Sequence, residues 1–75
     1  MSIDTLNRLR AGQLAGITRL DLSCGLTALP DEVFALADTL EVLNLSGNRL
    51  RDLPDLSRLH RLRVLFCSDN DFTHV

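Results

Sequence analysis

Leucine spacing constrains this chain more than any other feature. Seventeen of its 75 residues are leucine, from Leu6 to Leu65. In "LEVLNLSGNRLRDLP" the repeating places are Leu40, Leu43, Leu45, Asn48, Leu50 and Leu53. The same six places are filled in "LRVLFCSDNDFTHV" by Leu62, Leu65, Cys67, Asn70, Phe72 and Val75. An earlier unit, "ITRLDLSCGLTALP", supplies Ile17, Leu20, Leu22, Leu26 and Leu29. The units begin at residues 17, 40 and 62, spacings of 23 and 22 residues. Leu29-Pro30-Asp31 opens one connecting segment and Leu53-Pro54-Asp55 the next. Leu53, Leu56, Leu59 and Leu62 then step by three.

This pattern dictates a geometry. Alternate side chains of an extended segment point to opposite faces, so the two leucines of each L-x-L turn inward and their neighbours outward. One unit cannot bury its leucine face alone, whereas stacked units can. The expected result is a set of short parallel strands, with each linker returning over the outside as a helix or 3₁₀ turn. Proline suits the first helical turn of such a linker, and Asp31, Glu32 and Asp55 suit its positive end. Asn48 and Asn70 are expected inside the bend after the strand, answering backbone groups the bend leaves unpaired. The first unit has one residue fewer between Leu22 and Leu26 than the second has between Leu45 and Leu50. Aligned from the right, Cys24 takes the asparagine place, and the strand-to-bend corner is expected to be tighter.

Ahead of the first unit, "SIDTLNRLRAG" reads as a short helix. Ser2 or Asp4 can cap it, Ile3, Leu6 and Leu9 form its apolar stripe, and Gly12 ends it. The expected organisation is an N-terminal cap over residues 1–16, a first repeat over 17–39, a second over 40–61 and an incomplete third over 62–75. No second cap is encoded, and a repeat array needs a terminal unit with a polar outer face. The expectation is a front piece of a longer protein, or a chain that covers its C-terminal end by dimerising.

From about Leu14 onward the chain resembles the leucine-rich repeat superfamily. The fold this implies is an α/β solenoid fragment: a capping helix and about two and a half repeats with a short parallel β-sheet. More narrowly, "GITRLDLSCGLTALP", "LNLSGNRLRDLP" and "LRVLFCSDNDFT" are similar to the N-terminal repeats of bacterial leucine-rich-repeat proteins. Some of those carry a protein-kinase domain after the repeats. The resemblance implies recognition, and no catalytic role for any residue here. It leaves open a sensing or docking segment of a larger kinase whose catalytic domain would follow Val75.

Composition narrows the classes further. The net charge of −2 and pI near 5.5 argue against a dedicated nucleic-acid binder. All eight basic residues are arginine, so these residues cannot supply a phosphate-loop, kinase or Schiff-base lysine. No stretch is long and apolar enough for a transmembrane helix, and "MSIDTLNRLR" is not a secretory signal. Two cysteines suit a reducing compartment, so the cytoplasm is the expected location. No cofactor is expected.

The residues that look chemical have plainer readings. "CSDNDFTH" sets Cys67, Asp69, Asp71 and His74 close together. Cys67 fills a leucine place, where a thiol is expected to point into the core and be inert. Asp69 and Asp71 flank Asn70 in a bend, and a calcium loop would need more carboxylates and a glycine. A Cys24–Cys67 disulfide would bridge two strand spacings, about 10 Å, beyond the reach of a disulfide. Arg58, His60, Arg61 and Arg63 could form a nucleic-acid or phosphate patch. Arg58 and Arg61, however, belong to the outer linker and Arg63 to the start of the next strand. No aromatic platform accompanies them, and a solvated convex face is the expectation. The stronger candidate is the outward row of the strands: Arg19, Asp21 and Ser23, then Val42, Asn44 and Ser46, then Val64, Phe66 and Ser68. The concave side of a repeat array is its usual binding surface. These residues predict a protein-binding face, with Phe66 as its aromatic centre. The other readings are that Phe66 covers the edge of the core, or that the chain is a structural cap that binds nothing.

Overall fold

The structure, a computed structural model, describes residues 3–72. Helix α1, Ile3–Arg10, comes first, followed by strand β1, Arg19–Asp21. A 3₁₀ helix, Asp31–Leu36, leads to β2, Val42–Asn44, and a turn-rich linker leads to β3, Val64–Phe66. The strands form one parallel sheet in the order β1-β2-β3. Leu20 pairs with Leu43, and Leu43 with Leu65, so equivalent places of successive units lie side by side.

The inward leucines behave as the alternation requires in the first two strands. Leu20, Leu22, Leu43 and Leu45 are buried, and Leu40, Leu50 and Val33 close the core around them. Burying a leucine side chain contributes about 1.5–3 kcal/mol, so this cluster supplies most of the driving force for folding. Leu65 departs from the pattern. It stands in the same place as Leu43 and is 37% exposed, because no strand or linker covers the far side of β3 among the described residues. Phe72 is exposed for the same reason, and Cys67 is only half-buried rather than enclosed.

Helix α1 buries Leu6 and Leu9 in this core. Its third stripe residue, Ile3, is exposed, because the short helix meets the core only along its later turns. Asp4 lies in the first turn of the helix, not at its cap. Ser2 as a cap, and Val75 as the last place of the repeat frame, lie outside the described residues. At the other end the Gly12 amide donates to the Leu9 carbonyl and the Gln13 amide to that of Arg8. That pair of bonds needs a left-handed residue, and Gly12 has φ +74°.

The two linkers differ in form. Leu29 to Leu40 spans two residues more than Leu53 to Leu62. A 3₁₀ helix rises about 2.0 Å per residue against about 3.3 Å when extended, so the longer linker coils to cover a similar path. Pro30 precedes the helix with φ −65°, Asp31 and Glu32 occupy its first turn, and Val33 and Leu36 face the core. The second linker is held by separate turns, in which Leu59 donates to Leu56 and Leu62 to Leu59. The step of three residues is therefore a chain of i to i+3 bonds. Asp55 is at no helix end; its carboxylate accepts from the Ser57 amide at 2.9 Å, which holds its pKa below the ordinary value.

Asn48 ties the first two units together. It is 5% exposed, and it is fully used. Its Oδ1 accepts from the amides of Cys24 and Leu26, both at 3.1 Å. Its Nδ2 donates to the carbonyls of Leu22 and Leu45, both at 2.7 Å. Asn70 repeats the scheme one unit later, accepting from Leu50 and donating to Leu45 and Cys67. The Arg49 amide donates to the Leu26 carbonyl, and that of Asp71 to Leu50. Leu26 therefore matches Leu50, and Cys24 stands in the asparagine place. The missing residue is the one equivalent to Gly47 and Asp69. Both of those have positive φ, +77° and +55°, just before the asparagine. The first unit instead makes its left-handed turn one place after Cys24, at Gly25. The expected tighter corner is thus a relocated one.

Candidate partner-binding face

The outward residues fall into three columns across the sheet. The register sets Arg19 beside Val42 and Val42 beside Val64. It likewise sets Asp21 beside Asn44 and Asn44 beside Phe66. Ser23, Ser46 and Ser68 continue past the strand ends. Two of these are joined, with Ser46 Oγ 3.2 Å from Ser68 Oγ.

The polar members of this face satisfy one another. Arg19 and Asp21 lie two apart on a strand and so share a face. Arg19 donates from Nε to Asp21 Oδ2 at 3.0 Å and from Nη2 to Oδ1 at 3.1 Å. This two-pronged bond holds the Asp21 carboxyl below its ordinary pKa, against the opposing effect of burial, with the Asn44 side chain acting in the same direction as Arg19. The same bond raises the pKa of Arg19. Asn44 in turn accepts from the Ser46 amide at 3.0 Å.

The apolar members have no such partners. Val42 is half-buried, while Val64 and Phe66 are 39% and 47% exposed. Phe66 belongs to the outward column, opposite the face that carries Leu43, so it does not cover the core edge. The sheet thus presents a charge-paired patch at β1 and an apolar patch at β3, with Asn44 and Val42 between them.

The outer surface has a different character. The Arg58 guanidinium lies 4.7 Å from the centre of the Phe34 ring. His60 Nε2 is 2.9 Å from Asp38 Oδ1, and Arg63 reaches Glu41 at 3.9 Å. Arg58, His60 and Arg63, grouped in the sequence, are therefore dispersed among separate aromatic and acidic partners. These contacts were not anticipated from sequence, yet a signal existed. Ser46–Ser68 and Asp38–His60 are each 22 residues apart, the length of the second repeat. Residues one repeat apart are neighbours in a stacked array, and the Arg19–Asp21 fork follows from i, i+2 alternation.

Both cysteines are free thiols. Cys24 packs partly against the core, and its amide is bound to Asn48. Strand β2 separates the first unit from the third, so the two cysteines do not meet. Among the described residues, no three His, Cys, Asp or Glu side chains come together in a group able to hold a metal ion.

A family model described as leucine-rich repeats, in two copies, matches residues 38–75. No solved structure matches the chain.

Proposed function

Because the chain belongs to the leucine-rich repeat family, whose members are generally protein-interaction modules, we propose that it binds a protein partner through the outward face of its parallel sheet. In a solenoid of such repeats this is the concave side. The observation that carries the reading is Phe66, an aromatic 47% exposed on a rigid strand beside Val64, with the polar neighbours already paired among themselves. A partner can cover that apolar patch without breaking a hydrogen bond of the free protein. Aromatic anchors rimmed by satisfied polar groups are the usual energetic centres of interfaces. Arg19, Asp21, Asn44 and Ser68 form the rim, and their role is orientation of the partner.

The same reading gives α1 a task. By packing against the 3₁₀ helix and burying Leu6 and Leu9 in the common core, it acts as the N-terminal cap of the array, and residues 17–39, 40–61 and 62–75 act as its units. Repeats of this family are typically non-catalytic, and the module's work is recognition. The test is affinity capture with the chain, Phe66→Ala and Val42→Ser as three baits. Loss of a partner with either variant supports the outward face. Equal recovery of every partner by all three would sink it.

A further inference from the structure

Among the described residues, Arg19 is the arginine held by a fork. Arg49 and Arg63 each touch a carboxylate singly, at 3.8 and 3.9 Å. Arg19 grips Asp21 through both Nε and Nη2. A guanidinium carries five N–H donors in one rigid plane, one on Nε and two on each Nη. The fork uses one edge of that plane. It leaves one donor of Nη2 and both of Nη1, which has no hydrogen-bond partner among the described residues. The free Nη2 donor and one Nη1 donor run parallel along the end of the plane, the geometry that takes a carboxylate with two bonds.

We propose that this free end of Arg19 is a subsite for an aspartate or glutamate side chain of the protein partner, whose neighbouring apolar side chain seats on Val42 and Val64. The subsite rests on the reading of the outward face as the binding surface and names the chemistry it selects.

The geometry of the face favours this ligand. The register sets Arg19 directly beside Val42, with Val64 one strand further on. Two strand spacings are about 10 Å, so a partner that covers the apolar patch ends over Arg19. Covering the patch removes water from the guanidinium and strengthens its bond to an acid. Val42 and Val64 bring no second carboxylate into this row. Asp21 has already fixed the Arg19 side chain, so little rotamer freedom is lost on binding. A carboxylate also suits the site better than a phosphate. Counting Asp21, it leaves one excess negative charge on the shared guanidinium, where a phosphate dianion leaves about two.

A phage-displayed library of random peptides, selected on the whole chain, tests the subsite. The selected peptides are expected to carry Asp or Glu at a fixed distance from an aromatic or large aliphatic residue. Changing that acid to its amide is expected to weaken binding to the parent at least about tenfold, and to leave binding to Arg19→Gln unchanged. Asp21→Asn separates a held guanidinium from simple attraction. Removing a negative charge would by itself tighten an acidic peptide, whereas the loss of the fork is expected to weaken it. The acid-to-amide change leaves the protein untouched and decides the matter should a variant unfold. Selected peptides without acidic enrichment overturn the subsite. So do losses equal for the parent and Arg19→Gln, tighter binding to Asp21→Asn, or a library that yields no binder. The affinity capture with Phe66→Ala reads the apolar patch with folded partners, so the two failures are distinguished.

Discussion

Strands β2 and β3 both begin Val-Leu, both are three residues long, and both are followed by an asparagine that ties the bend to the unit before. Yet Leu43 is fully enclosed while Leu65 is 37% exposed. Asn48 is buried, and Asn70 is half-buried. The difference lies outside the motif. Among the described residues, β2 has a neighbour on each side, and β3 has one. In this fold the repeat sequence encodes the shape of a unit, and burial comes from stacking. The energetic weight of any place is therefore set by its position in the array.

Truncating the same place in each strand breaks the comparison most sharply. A 75-residue domain has roughly 4–11 kcal/mol of stability to lose. Leu43→Ala opens a cavity at the centre of the core and is expected to cost about 3–4 kcal/mol. Leu65→Ala in dilute solution is expected to cost under ~1 kcal/mol, and urea unfolding of both variants would show it.

The asparagines come next. Asn48→Ala strands two amides and two carbonyls in the interior, an expected loss of about 3 kcal/mol. Asn70→Ala exposes its former partners to water, and ~1 kcal/mol is expected. Equal losses would mean that the bend around Asn70 is as dry as that around Asn48.

The turn residues separate the units by a smaller margin. Gly47 has φ +77°, and a Cβ there would lie 2.9 Å from Ser23 Oγ. Gly47→Ala is expected to lose about 1–2 kcal/mol. Asp69 holds the same left-handed place at φ +55° with a side chain, so Asp69→Gly is expected to gain up to ~1 kcal/mol. The two midpoints should move in opposite directions.

The smallest effect concerns acid. The Asp21 carboxyl, bound by Arg19, has a folded-state pKa lowered from the ordinary 3.8. Its contribution is present above that ordinary value and is lost as pH falls through the lowered one. Asp21→Asn is expected to unfold less steeply with acid below about pH 4. A stability profile parallel to that of the parent would show that the fork contributes nothing.

Much of this was legible in the chain. Leu20, Leu22, Leu43 and Leu45 were placed by spacing alone, as were the parallel strands, the role of Asn48 and the outward column containing Phe66. Leu65, Cys67 and Ile3 were placed correctly in phase and wrongly in burial. Phase is a local property of the backbone, whereas burial depends on which neighbour exists. The second linker kept its i to i+3 rhythm without a continuous 3₁₀ helix, because the number of residues left to span the path decides how tightly they coil. The tie from His60 to Asp38, 22 residues apart, needed the repeat length to be applied to polar places as it was to leucines.

The shifted corner of the first unit bears on how such chains tolerate insertions and deletions. One residue is gone between Leu22 and Cys24, yet Leu20 still pairs with Leu43 and Leu26 still accepts from Arg49. The loss is absorbed in the bend, where the left-handed residue moves from one side of the asparagine place to the other. The strand keeps its phase, and so does the linker. A glycine on either side of that place thus makes the bend a length buffer, so that units of unequal length can be exchanged in such an array without disturbing the sheet.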